Sequence, residues 1–97
     1  MLTAILFAAA VNAGAPRVVS DTAGSDHCGL NAPCPSRVLV VANPSLRRAQ
    51  ALVSCAGVPA LDTSVWIRPR GRVTVELAYD GGLVAGQCRV TAYMKER

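Results

Sequence analysis

A chain of 97 residues with four cysteines and a net charge of +4 has room for one small domain. Apolar residues make up 52%, charged residues 16% and aromatics 4%, so the chain is not disordered and its core must come from Val, Leu, Ile and Ala. These values exclude a multidomain enzyme, a coiled coil, a collagen-like chain and a polytopic membrane protein.

Residues 1–11 read MLTAILFAAAV, with Thr3 the one polar interruption. This run is shorter than the roughly 20 apolar residues that a membrane-spanning helix needs. Val11 and Ala13 are small enough for positions three and one before a signal-peptidase cut. The pattern predicts a signal peptide over residues 1–13, cleaved after Ala13. Every charged side chain lies beyond Pro16, so the mature chain keeps the whole positive charge. The expected location is secreted or periplasmic, with no transmembrane segment after cleavage.

Export predicts disulfides. Cys28, Cys34, Cys55 and Cys88 allow three pairings. Cys28–Cys34 is favoured because Gly29, Asn31 and Pro33 between them suit a tight reversal. Cys55–Cys88 is favoured because both fall on strand-like segments with matching alternation.

Residues 14–36 are rich in Gly, Pro, Ser, Asp and Asn. They predict an irregular N-terminal arm with a disulfide loop and, at Arg17–Val19, a short strand. Residues 37–97 predict the folded domain. Arg37–Ala42 (RVLVVA) is apolar on both faces, as a central strand would be. Asn43-Pro44-Ser45 breaks it. Gln50–Cys55 is the next strand, with Ala51, Val53 and Cys55 on one face; Leu46–Leu52 also suits a helical turn. Ser64–Arg68 and Arg72–Leu77 predict a hairpin around Pro69-Arg70-Gly71. Val73, Val75 and Leu77 point inward. Asp80-Gly81-Gly82 marks a turn. Cys88–Tyr93 closes the fold, with Cys88, Val90 and Ala92 on one face. Short strands at these intervals predict an all-β fold, a small antiparallel sandwich or open barrel of five to six strands stapled by disulfides.

Val53-Ser54-Cys55-Ala56-Gly57, then Val65-Trp66-Ile67, then Cys88 resemble the Cys…Trp…Cys arrangement of immunoglobulin-like sandwiches. The resemblance spans Gln50 to Tyr93 and implies a truncated immunoglobulin-like domain, with the Trp packed on an inter-sheet disulfide. Gly86 stands where that family's corner tyrosine would be, which argues against an antibody-type domain.

Chemistry-bearing residues are few. His27 is the single histidine. With Cys28 and Cys34 it lacks the ligand spacing of a structural zinc site, and oxidised cysteines are not thiolate ligands. A hydrolase would need a cleft around a positioned nucleophile and base. No enzyme activity, metal or cofactor is expected. Cys28-x5-Cys34 also departs from the Cys-x-x-Cys redox spacing. Arg68, Arg70 and Arg72 cluster at the predicted hairpin tip, sharing a face with Trp66, and Arg47 and Arg48 lie in another loop. Guanidinium groups suit phosphate, sulfate or acidic sugar. These residues predict a non-enzymatic binding module for a protein partner or an anionic surface polymer, with nucleic acid disfavoured by export. The alternative is a small disulfide-stabilised inhibitor or toxin-like effector.

Overall fold

β-Branched and aliphatic residues set six strands among the described residues, which a computed structural model gives as 14–24 and 36–96. They are β1 (Arg17–Ala23), β2 (Ser36–Ala42), β3 (Ala49–Cys55), β4 (Val58–Ile67), β5 (Arg72–Ala78) and β6 (Cys88–Lys95). The predicted signal peptide, His27 and the predicted Cys28–Cys34 bridge lie outside the described residues. No helix among the described residues is long and apolar enough to cross a membrane.

The strands form two antiparallel three-stranded sheets, ordered β1-β2-β5 and β4-β3-β6. The chain is an all-β sandwich, as its alternation predicts. β2 and β3 are the two central strands, and their inward residues Leu39, Val41, Ala51 and Val53 are fully buried. With Val58, Ile67, Val75, Leu77 and Leu83 they make an aliphatic core that, among the described residues, holds no aromatic ring. Val73, Val75 and Leu77 all pack on this core, as the period-two pattern of β5 requires.

Four local features depart from the sequence pattern. Residues 17–23 form a full edge strand registered against β2, so the short strand expected at Arg17–Val19 is present and runs four residues further, where an irregular arm is expected. Its polar residues disguise it: β1 has an open edge and a bulge between Val18 and Ser20, so most of its side chains face water. β4 begins at Val58 and not at Ser64. Pro59 is tolerated because β4 is an edge strand and its pairing to β3 jumps from Val58 to Thr63. In β6 a second irregularity puts Ala92 opposite Leu52 and Val90 opposite Val53, so Ala92 leaves the face shared by Cys88 and Val90. Residues 45–47 form bends and not a helical turn.

The predicted hairpin of residues 64–68 with 72–77 does not form. β4 and β5 belong to different sheets, so Arg68–Gly71 carries the chain across the sandwich. Turn chemistry is right but sheet membership is not. The turn closes with the Gly71 N–H donating to the Arg68 carbonyl at 2.9 Å. β5 then pairs with β2, and the apolar register Leu39–Val75 and Val41–Val73 buries both partners' core faces.

Cys55 and Cys88 form a disulfide, as predicted, directly across neighbouring strands β3 and β6. It joins strands of one sheet, on the core face, and does not connect the two sheets. Trp66 lies opposite Gln50, at the far end of β3, and is 43% exposed. The tryptophan therefore does not pack on this disulfide.

At the disulfide end, Asp21 ties β1 to two other elements. Its Oδ1 accepts from Arg37 Nε at 2.7 Å, and its Oδ2 accepts from the Gly86 N–H at 2.9 Å. Burial pushes the Asp21 carboxyl up, but the Gly86 N–H and the Arg37 guanidinium outweigh it and hold it below the ordinary 3.8.

Two outcomes test these ties. The double variant Cys55→Ala/Cys88→Ala should lose about 3–4 kcal/mol in denaturant titration, the chain-entropy value for closing a loop of this length; a loss below about 1 kcal/mol would show that strand register alone holds β6. Because the folded pKa of Asp21 is depressed, its stabilisation is complete above the unfolded value and is lost as pH falls through the folded one. Asp21→Asn should therefore be less stable than the parent at neutral pH, and the gap should close below pH ~4 in acid titration followed by circular dichroism.

Candidate basic surface at the loop end of the sandwich

The two connections that cross between sheets at one end are the β2–β3 loop, residues 43–48, and the β4–β5 crossover, residues 68–71. Both are short, and Asn43 holds them together. Its side chain is 1% exposed. Asn43 Nδ2 donates to the Arg47 carbonyl at 2.7 Å and to the Ile67 and Arg68 carbonyls at 3.1 Å each. Two N–H bonds serve three acceptors, so one is shared. Asn43 Oδ1 accepts from the Ser45 N–H at 3.1 Å and from Ser45 Oγ at 2.8 Å. The backbone adds two ties, Asn43 N–H to the Gly71 carbonyl and Arg70 N–H to the Ser45 carbonyl. The Asn-Pro-Ser triplet that ends β2 is thus an Asx-type turn whose amide also reaches the neighbouring connection.

This joint gathers charge. Arg47 and Arg48 come from the loop, and Arg68 and Arg70 from the crossover; all four are exposed. Arg17 and Arg72 begin β1 and β5 and both register against Ala42, the last residue of β2. Lys95 ends β6 opposite Ala49, the first residue of β3. Seven of the chain's ten basic residues therefore meet at one end. Among the described residues, Glu96 is the one carboxylate there. It pairs with Arg48 at 3.4 Å, an exposed contact of little energetic weight. The remaining described carboxylates, Asp21, Asp62, Glu76 and Asp80, lie elsewhere. A chain whose net charge is only +4 is thus strongly polarised along its strands.

The predicted site residues are partly reunited and partly separated. Arg48 stacks on Trp66, its guanidinium carbon 4.2 Å from the ring centroid, so the loop arginine and the strand tryptophan do meet. Trp66 and Arg72 do not share a face. Trp66 registers with Gln50 on the outer side of the β4-β3-β6 sheet, whereas Arg72 registers with Ala42 on the outer side of the other sheet. The predicted common face required a hairpin, and the crossover removes it. Arg17, Asn43 and Lys95 escape sequence reasoning because strand ends far apart in the chain bring them here. Only Asn43 carried a local signal, its Asx-turn spacing to Ser45.

Arg70 is held at φ 58°, the one described non-glycine residue in the left-handed region. It occupies the third position of a turn led by Pro69, where glycine is the usual residue. A long charged side chain is thus kept at a strained backbone position on the most basic surface of the molecule. No group of three or more His, Cys, Asp or Glu side chains among the described residues is placed to hold a metal ion.

Compared with protein-family models, curated protein sequences and solved structures, the chain finds no match in any of the three.

Asn43→Ala should cost about 2–3 kcal/mol in thermal or chemical unfolding, because three carbonyls lose their donor. Asn43→Asp should cost more, since a carboxylate would face those carbonyls without an N–H to offer. Arg70→Gly should gain roughly 0.5–1 kcal/mol, the left-handed strain relieved less the entropy glycine adds to the unfolded chain.

Proposed function

We propose that this protein is an exported, non-enzymatic binding domain whose arginine-rich end takes an anionic polymer bearing sulfate, phosphate or carboxylate groups. The observation that carries the reading is the joining of two basic connections by one buried asparagine amide. Guanidinium groups bind such oxyanions through paired N–H donors. The arginines stand on short connections that bridge the sheets, and Asn43 fixes the connections to each other. Their charges are therefore presented together before a ligand arrives. A strained turn that keeps Arg70, and not glycine, supports the same reading.

The strand order also supports an immunoglobulin-like reading of the sandwich, although the cysteine bridge joins β3 to β6 within one sheet and does not link the two sheets. β1-β2-β5 corresponds to strands A, B and E of that architecture, and β4-β3-β6 to C′, C and F. Strands D and G have no counterpart among the described residues. The apolar leader and the disulfide support export, in which case the polymer is one met at the cell envelope or outside the cell.

Titration with inorganic polyphosphate and with heparin across a salt series tests the reading. Affinity should fall steeply as salt rises, since exposed charges are screened over about 8–10 Å at physiological strength. Arg47→Ser/Arg68→Ser/Arg70→Ser should weaken binding at least about tenfold, roughly 1.4 kcal/mol, while its melting temperature stays near the parent's. Arg89→Ser, which removes a charge at the opposite end, should leave affinity within about twofold. If both variants lose affinity equally per charge removed, only net charge matters and the site does not exist. If a protein partner is captured whose binding ignores both salt and these arginines, the inhibitor or effector reading replaces this one.

A further inference from the structure

At the arginine end the outer face of the β4-β3-β6 sheet exposes apolar side chains; toward the disulfide end it turns polar, with Asp62, Ser54, Thr91 and Arg89. Two cross-strand rows form its apolar part: Trp66–Gln50–Met94, then Ser64–Leu52–Ala92. The first row is tall at both ends; the second has small residues at both ends. The height difference leaves a shallow depression of about 210 Å³ lined by Gln50, Leu52, Ser64, Ala92, Tyr93 and Met94; Trp66 stands outside this lining, in register with Gln50. Trp66 and Met94 are 43% and 58% exposed. Exposed Trp66 and Met94 flanking a half-buried Leu52 form an apolar patch of the kind that marks an interaction site.

Three details narrow the occupant. The Trp66 ring is oriented by Arg48 stacked at 4.2 Å, and no second ring or cation covers it among the described residues. Gln50 and Ser64 line the depression, and neither side chain is committed to another described residue. Arg48 and Arg68 border the same face where β3 begins and β4 ends. An aromatic plate, an aliphatic floor and free amide and hydroxyl groups suit a ring that is apolar on its face and polar at its edge. A pyranose has that form: its C–H face packs on an aromatic ring, and its hydroxyls meet Gln50 and Ser64. A lipid chain would leave those polar groups unused, and an extended peptide would pair with a strand edge and not with a sheet face.

We infer that this face seats a sugar unit of an acidic polysaccharide, with the neighbouring sulfate or carboxylate groups carried to Arg48 and Arg68. The inference rests on the polyanion reading above and names its ligand class. Trp66 and the depression supply ring recognition; the arginine end supplies charge.

Trp66 is the chain's only tryptophan, so its fluorescence reports the site directly. The parent, Trp66→Ala and Ser64→Phe are titrated with a heparin oligosaccharide and with inorganic polyphosphate, which has the charge and no rings. Ser64→Phe fills the depression from an exposed edge-strand position and keeps every charge; both variants are checked for an unchanged melting temperature. The oligosaccharide should change the parent's tryptophan emission. Each variant should weaken oligosaccharide binding about tenfold and leave polyphosphate binding within about twofold. If the variants bind both ligands like the parent, or lose both alike, ring recognition is overturned and the polyanion reading stands. If the parent binds neither ligand, both readings fall.

Discussion

One buried amide organises the arginine-rich end of this protein. The Asn43 side chain bonds to carbonyls of its own loop and of the β4–β5 crossover, and the Ser45 hydroxyl and N–H complete its valence. Without it, two short connections rich in arginine would repel each other across the end of the sandwich. With it, their backbones are fixed and only their side chains are free. Like charges held together by a fold store electrostatic free energy.

The stability that opposes this repulsion comes from the opposite features of the molecule. The core is aliphatic and centred on β2 and β3, whose inward residues are shielded completely. At the far end the cysteine bridge joins β3 to β6, and Asp21 pins β1 to Arg37 and to the Gly86 turn. Bridge and ion pair both sit away from the arginines. At this end each sheet carries its own tie, the disulfide in one and the Asp21–Arg37 pair in the other, and the Gly86 N–H bond to Asp21 connects them; the other end is left charged. Burial of a small core limits what such a domain can tolerate, so placing the ties and the repulsion at opposite ends is physically consistent.

The outer face of the β4-β3-β6 sheet links the two kinds of surface. Arg48 belongs to the basic loop, yet its guanidinium lies on Trp66, which belongs to the apolar face. The same residue therefore pairs with the Glu96 carboxylate and also orients an aromatic ring. This coupling exists because β3 starts immediately after the loop and registers Gln50 with Trp66.

Local pattern determined much of the fold. The period-two alternation of β3 and β5 identified which side chains face the core, and the double-sided apolar run of β2 identified a central strand. The same alternation, with export, paired Cys55 with Cys88. The second half of β1 and the first half of β4 were not legible, because edge strands with bulges keep polar residues and Pro59 where a central strand would exclude them. Arginine content was also plain in the sequence, but its geometry was not. Which sheet β5 joins depends on burial of Val73, Val75 and Leu77 against β2, a strand far away along the chain, and the turn at Pro69-Arg70-Gly71 is compatible with either outcome. That choice sends Arg72 to one outer face and Trp66 to the other. It also brings Asn43 against Arg68, and strand ends from Arg17 to Lys95 into one cluster. Side-chain alternation is a property of neighbouring residues and can be read along the chain. Sheet membership is a property of long-range packing, and only the tertiary structure decided it.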